Sequence, residues 1–231
     1  MAKIRRISSE QRRDSILKAA RGVFAENGFR GTTTRALAEA AGVSEALLFQ
    51  HFPTKEALYA AVQSAFFREQ ESDIRGELMA MEPSTASLVR IVHGFYINLI
   101  DPPSRDVKAD RAILARLMFR SLVEDGEFAR LFIKRIPSHL VKKLEECIRA
   151  SAAAGDLDTS PDHANLAGWF AHHLAITLML HQLPKPPVFP YGVPRESLVE
   201  EAVRFALRGI GLKEESIRRY YHPDTLAKAW I

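Results

Sequence analysis

Side chains that can hydrogen-bond to bases and phosphates are concentrated between residues 32 and 55 of this 231-residue chain. Arginine, glutamine, glutamate and serine carry donors and acceptors that match base edges in the grooves of DNA. Hydroxyl, imidazole and ammonium groups suit phosphate oxygens, which position a protein on the duplex. We expect base contacts from Arg35, Ser44, Glu45 and Gln50, and backbone contacts from Thr33, Thr34, His51 and Lys55. The predicted DNA-binding surface also includes Ala46, Leu47 and Phe49.

Two short helices around a tight turn would position these side chains. Hydroxyls at residues 32–34 can cap a helix that runs to about Ala41, and Gly42 suits the left-handed residue that ends it. Ser44 can cap a second helix, whose apolar residues Leu47, Leu48 and Phe52 would face inward. Its N-terminal residues stay free, as in a recognition helix that enters a major groove. The spacing therefore predicts a helix-turn-helix unit.

Positive charge is concentrated around this motif. Residues 1–55 contain ten Lys or Arg against five Asp or Glu, whereas the remainder contains 22 against 23. Such a basic segment on a near-neutral body is typical of a protein that contacts phosphates. Residues 12–27 have the apolar spacing of a supporting amphipathic helix. Ahead of them lies a basic arm, which either reaches into a minor groove or is a solvated tail: Lys3, Arg5 and Arg6.

Residues 24–58 follow a known family pattern. The matching positions are Phe24, Gly28, Thr32-Thr33, Leu37-Ala38, Ala41-Gly42-Val43-Ser44, Leu48-Phe49, His51-Phe52 and Lys55-Glu56-Ala57-Leu58. In them the chain resembles the TetR-like bacterial transcriptional regulators. The resemblance implies a dimeric repressor that a small molecule releases from DNA. It also implies a phosphate-contacting tyrosine at the position of Phe49, which keeps the ring but lacks the hydroxyl donor.

The rest of the chain has helical periodicity, without a convincing period-two strand. Proline and glycine divide it into helices predicted at about 54–81, 85–100, 109–123, 126–154, 161–183 and 194–211. The tail, residues 212–231, has room for one more short helix. The predicted fold class is all-α, with a three-helix DNA-binding domain and its basic arm at residues 1–55. A helical effector-binding and dimerisation domain would occupy residues 56–231.

The helices predicted at 161–183 and 194–211 are apolar around much of their girth, so each needs several neighbours. By the resemblance they form a four-helix interface with a second copy, and the alternative is burial inside one subunit. The remaining helices would enclose a pocket for an apolar or aromatic effector, although for each single residue plain core packing is the favoured explanation. Candidate lining residues are Phe95, Tyr96, Leu99, Met118, Phe119, Leu122, Trp169, Phe170, His173 and Met179.

No catalytic residue, cofactor or metal is expected. The chain has no phosphate-binding glycine loop or nucleophile elbow, and His172 and His173 would point about 100° apart on a helix. Acidic neighbours of the single cysteine, Cys147, argue against a thiol sensor. No apolar run approaches membrane-spanning length, which predicts a cytoplasmic protein without a membrane partner. Besides a repressor, an activator of the same fold, a sequence-indifferent DNA binder and a helical enzyme remain open.

Overall fold

The computed structural model describes residues 8–65, 80–101, 105–124, 126–135 and 137–226. Within them the all-α prediction is confirmed, since the β-type pairing is one isolated bridge between Leu157 and Leu212. None of the described helices is both long and apolar enough to cross a bilayer. The helices are α1 (Ser9–Gly31), α2 (Thr34–Ala41), α3 (Glu45–His51), α4 (55–65), α5 (Thr85–Ile100), α6 (Arg105–Val123), α7 (Glu127–Arg135), α8 (Pro137–Ala153), α9 (Ala164–Gln182), α10 (Arg195–Ile210), α11 (Glu214–Tyr220) and α12 (Pro223–Leu226).

Most predicted helices occur near their expected positions, but the one predicted at 126–154 is wrong. It is divided into α7 and α8, and Pro137 is the first residue of α8. Proline has no backbone N–H and clashes with the preceding turn, so it starts a helix readily and interrupts one in the middle. The basic arm, residues 66–79 of the predicted fourth helix and the end of the tail lie outside the described residues.

The chain forms two compact units. Among the described residues, the first unit takes those of 1–71 and 109–133, and the second takes those of 72–108 and 134–226. This division differs from the predicted boundary after residue 55, because residues 109–133, which include most of α6 and α7, group with the N-terminal residues. The first unit is therefore discontinuous in sequence, which no local pattern could indicate.

Helix α1 organises the first unit. It starts with a capping box, in which the Ser8 hydroxyl accepts from the Gln11 N–H and the Gln11 side chain accepts from the Ser8 N–H. Near its end, Gly28 has φ 68° and ψ 178°, so the helix is kinked there. A Cβ at this position would collide with the Arg120 side chain of α6. The buried Thr32 hydroxyl donates to the Gly28 carbonyl at 2.6 Å, which holds the turn into α2.

Helix α5 forms the centre of the second unit, where it packs against α8, α9, α10 and α11. Its inward side chains are buried on several faces, as expected for a helix surrounded by others. The Tyr96 hydroxyl donates to the Ala171 carbonyl of α9 at 2.7 Å, which satisfies the polar atom of a buried ring. The α5 residues that belong to the hydrophobic core are Leu88, Val89, Ile91, Val92, Tyr96 and Ile100.

Asp156, in the connection after α8, accepts hydrogen bonds from three parts of the second unit. Its carboxylate accepts from the Thr85 hydroxyl at the start of α5 (2.6 Å) and from the Ser216 hydroxyl of α11 (2.7 Å). These two donors lower the pKa of Asp156, with nearby basic groups contributing further. The Asp156 carbonyl also accepts from the Lys213 N–H at 3.0 Å. The Asp156 side chain thus connects the start of α5 to α11.

Candidate nucleic-acid interface

Helices α2 and α3 are joined by a turn whose hydrogen bonds match the predicted pattern. The Thr33 hydroxyl accepts from the Ala36 N–H at 3.1 Å, which caps α2. Gly42 ends α2 in the left-handed conformation, with φ 63° and ψ 36°. The Ser44 hydroxyl then accepts from the Leu47 N–H at 3.2 Å and caps α3. Because each hydroxyl caps with a lone pair, its own O–H remains a donor.

The outer face of α3 is the surface available to DNA. Leu48 and Phe52 are buried, whereas Leu47 is only partly buried and the prediction that it faces fully inward is too strong. Phe49 is 40% exposed, which is unusual for a large apolar ring and leaves it beside the polar positions. The exposed residues of α3 are Glu45, Ala46, Phe49 and Gln50.

Two of the residues predicted to contact bases are hydrogen-bonded to other side chains of the same domain. The Thr34 hydroxyl donates to Oε2 of Glu45 at 2.6 Å, which links the starts of α2 and α3. Arg35 and Glu39 form an exposed ion pair at 2.9 Å, and this hydrogen bond raises the pKa of Arg35. A surface pair of this kind contributes little to stability, so exchange of Glu39 for a base edge costs little. Base contacts by Arg35 and Glu45 remain predictions.

Arg13 holds the end of the recognition helix, a role that the sequence analysis missed. Its Nη1 donates to the His51 carbonyl at 2.9 Å, and its guanidinium lies 4.2 Å from the centre of the Phe52 ring. The first contact satisfies a carbonyl at the C-terminus of α3 with a cation, where the helix dipole favours positive charge. The donor and acceptor lie 38 residues apart, so local sequence contains no signal that separates Arg13 from Arg12.

Lys55 connects the start of α4 to the end of α1. Its ammonium donates to the Phe29 carbonyl at 2.9 Å and the Thr32 carbonyl at 3.0 Å, and it lies 4.3 Å from the centre of the Phe29 ring. An ammonium has three N–H donors, so one remains for a phosphate. The structure thus gives Lys55 a structural role that we did not predict, and its phosphate contact stays a prediction.

A groove of about 480 Å³ lies between the start of α1 and the outer face of α3. Its lining combines a cation, hydroxyls and an imidazole with one apolar side chain, which suits a ribose-phosphate backbone better than a dry ligand. Arg12, Ser8 and Ser9 were not among the predicted contacts. The lining residues are Ser8, Ser9, Arg12, Leu47, Gln50 and His51.

The residues predicted to line an effector pocket are divided between the two units. Met118, Phe119 and Leu122 belong to the first unit, and the other seven belong to the second. Tyr96 and Met179 are buried, and Phe95, Leu99 and Trp169 are partly buried. Four residues are exposed in the single chain, and their place in an effector pocket stays a prediction: Phe119, Leu122, Phe170 and His173. Helical spacing identifies an apolar face but does not say whether that face is covered within the same chain.

His172 forms the centre of an aromatic cluster within the second unit. Its ring stacks on Phe95 at 5.3 Å and meets Trp169 edge-on at 5.5 Å, and Trp169 also stacks on His173 at 5.6 Å. Burial lowers the pKa of His172 to about 4, with the neighbouring His173 contributing in the same direction. Its Nδ1 has no hydrogen-bond partner among the described residues. The imidazole is therefore neutral near pH 7.

Two helices joined by a left-handed glycine, an exposed recognition helix and a basic N-terminal segment define a helix-turn-helix DNA-binding protein. Residues 16–62 match the family model described as "Bacterial regulatory proteins, tetR family". Its N-terminal segment is accordingly similar to the DNA-binding domain of these regulators.

Similar proteins extend the likeness beyond this domain. The regulatory protein RaaS of Mycobacterium tuberculosis is 28% identical over 171 residues, which cover 73% of this chain and 72% of RaaS. The transcriptional repressor AcnR of Corynebacterium efficiens is 37% identical over 93 residues, which cover 40% of this chain and 43% of AcnR. The crystal structure of AibR with isovaleryl coenzyme A and operator DNA has a TM-score of 0.61 at 18% identity, over 84% of this chain and 97% of AibR. At that identity, the structural likeness indicates the fold alone.

Proposed function

We propose that the chain is a homodimeric repressor that binds a palindromic operator in the cytoplasm and is released by a small apolar or aromatic molecule. The observation that carries the DNA-binding part is the outer face of α3, which presents Glu45 and Gln50 beside a groove containing Arg12. Polar side chains there can read base edges while the flanking cation and hydroxyls contact phosphates. AcnR is described as a repressor, which supports the direction of control.

A dimer is proposed because one recognition helix is too short to specify a site. Helix α3 has seven residues and reaches few base pairs, so two copies related by a twofold axis would read both halves of a palindrome. In α9 and α10, large apolar side chains point away from the core of their own chain: Leu166, Phe170 and Phe205. Their exposure favours pairing with a second copy over the alternative of burial inside one subunit.

The effector is proposed to bind within the helical second unit. The aromatic cluster of Phe95, Trp169 and His172 offers flat apolar surface with a neutral imidazole, which favours an uncharged or apolar group over an anion. AibR has been crystallised with an acyl thioester and its operator, which supports ligand control in this fold. An effector can release DNA only by binding the released arrangement more tightly than the DNA-bound one.

Selection of the purified protein against a random duplex library tests the DNA-binding part. We expect one enriched palindrome at near-physiological salt. Arg35→Ala should relax the preference at one base pair, at a cost of about 1–3 kcal/mol for the preferred sequence. Arg30→Ala, which removes the same charge from an exposed position of α1, is the control. It should either weaken binding to all DNA sequences alike or leave binding unchanged. Uniform binding to every sequence by the wild-type protein would instead establish the sequence-indifferent alternative.

Titration of the bound operator with aromatic alcohols and acyl thioesters tests release. A repressor is expected to lose operator affinity when such a compound binds, and transcription in vitro from a promoter overlapping the operator should then rise. A fall in transcription on release would establish the activator. If compounds bind to the protein but none changes its operator affinity, the release mechanism is wrong.

A further inference from the structure

The segment that joins α9 to α10, residues 183–194, is stiff and apolar, and we call it the proline arm. Its sequence, LPKPPVFPYGVP, contains five prolines and a single charged residue, Lys185. Each proline fixes its own φ near −65° and restricts the residue before it, so the arm has few conformations to lose on binding. A connection between two antiparallel helices needs only a few residues, so this length calls for another explanation.

The proline arm is held against the end of α9. The Val188 N–H donates to the His181 carbonyl at 3.0 Å, and the Gln182 amide donates to the Phe189 carbonyl at 3.3 Å. The Tyr191 hydroxyl lies 3.3 Å from Nδ1 of His181, and the Tyr191 ring meets the Phe189 ring edge-on at 4.9 Å. These contacts fix both the backbone and the aromatic side chains of the arm.

Despite these contacts, the arm exposes its apolar side chains. Val188 is 69% exposed, Phe189 is 54% exposed and Val193 is 52% exposed. Single exposed apolar residues are ordinary, but three within six positions form a patch, and such patches mark interaction surfaces. A stiff backbone that presents apolar side chains is organised in advance for a partner, which lowers the entropy lost on association.

The arm follows α9, which has an exposed face of its own. The exposed positions along this face follow at intervals of four, three and four residues: Leu166, Phe170, His173 and Thr177. Pro184, two residues beyond the end of α9, is exposed as well. The exposed apolar residues of the arm thus follow directly after the helix proposed for the dimer and are held against its end.

Area and charge both favour a second copy as the partner. The exposed parts of Leu166, Phe170 and Phe205 supply roughly 300 Å², whereas a stable interface buries about 800 Å² on each partner. The arm adds a similar apolar area from Val188, Phe189 and Val193. Its one charge is positive, and the exposed positions of α10 include the acidic residues Glu196 and Glu201. With the arm, the exposed apolar area on each copy rises to roughly 600 Å², most of what a stable interface needs, and the acidic residues of α10 complement the charge of Lys185.

We propose that the proline arm packs on the second copy of the chain and forms part of the homodimer interface, with Phe189 as its anchor. This inference rests on the proposed homodimer, in which α9 and α10 supply the central contacts. Twofold symmetry places two arms in each dimer, so every arm substitution acts twice.

Sedimentation equilibrium over a range of concentrations tests the arm through the dimer dissociation constant. The arm variant is the double substitution Val188→Ser and Phe189→Ser, and Phe170→Ser tests the α9 face separately. Val123→Ser, at a 79% exposed position of α6, is the matched control. We expect the arm variant and Phe170→Ser each to raise the dissociation constant at least about tenfold, because two anchors are lost per dimer, and the control to stay within about twofold.

A second measurement reports burial of the arm directly. Cys147 is buried, so a cysteine introduced by Val193→Cys would be the accessible thiol for a maleimide. Its labelling should be slow above the dimer dissociation constant and fast below it. Labelling that does not depend on concentration, or an arm variant that dimerises like the wild type while Phe170→Ser dissociates, overturns the arm and leaves the homodimer intact. A wild-type protein that stays monomeric overturns the homodimer itself, and the arm contact with it.

Discussion

Acidification should destabilise the protein through His172. This side chain is 8% exposed, and burial among Phe95 and Trp169 lowers its pKa to about 4, against about 6.5 in the unfolded chain. The unfolded state therefore binds a proton at a higher pH than the folded state does. Stability is full above pH 6.5 and is lost as the pH falls toward 4. Between pH 7 and pH 5, this single group should reduce the free energy of unfolding by about 2 kcal/mol.

Urea unfolding at pH 7 and pH 5, at one fixed protein concentration, measures this loss. The comparison variant is His172→Phe, which keeps a ring to stack on Phe95 and removes the titrating group. His93 is also buried with a lowered pKa, but it is present in both proteins and cancels in the difference. We expect the variant to lose about 2 kcal/mol less than the wild type between the two pH values. The reasoning about burial is refuted if both proteins lose stability equally.

Three further substitutions test the scaffold by chemical denaturation. Gly28→Ala should lower the free energy of unfolding by about 1–3 kcal/mol, because its φ of 68° is strained for alanine and the new Cβ meets Arg120. Gly22 lies in helical backbone with open space around it, so Gly22→Ala should instead raise the free energy of unfolding by about 0.5–1 kcal/mol. A change of the same sign in both glycine variants would contradict this reasoning. Asp156→Ala should cost about 1–3 kcal/mol, because two donors lose their acceptor; an unchanged midpoint would show that water replaces the carboxylate.

The helix-turn-helix unit was predictable because its determinants are local. Gly42 and Ser44 act within four residues of themselves, through a left-handed turn and a cap, so residue type and spacing were enough to place α2 and α3. Pro137 is equally local, since a proline interrupts a helix that the apolar pattern alone would continue. The DNA contacts of individual side chains remain predictions.

Contacts between distant residues could not be predicted in this way. Arg13 reaches the His51 carbonyl across 38 residues, and Lys55 reaches the Phe29 carbonyl across 26, so neither pair forms a repeat that a single sequence reveals. The outward direction of Phe170 was missed for another physical reason. Apolar residues occupy more than one face of α9, and burial by a second chain produces the same pattern as burial by the first.

The hydrogen bond from Thr34 to Glu45 limits how the proposed DNA-sequence preference can be re-engineered. A designer who grafts a new α3 from a relative would discard Glu45 and leave the Thr34 hydroxyl without its 2.6 Å acceptor. Without this hydrogen bond, the orientation of the grafted helix would no longer be fixed relative to α2. Residue 34 should therefore be exchanged together with α3, and libraries for altered recognition should vary it together with residues 45–50.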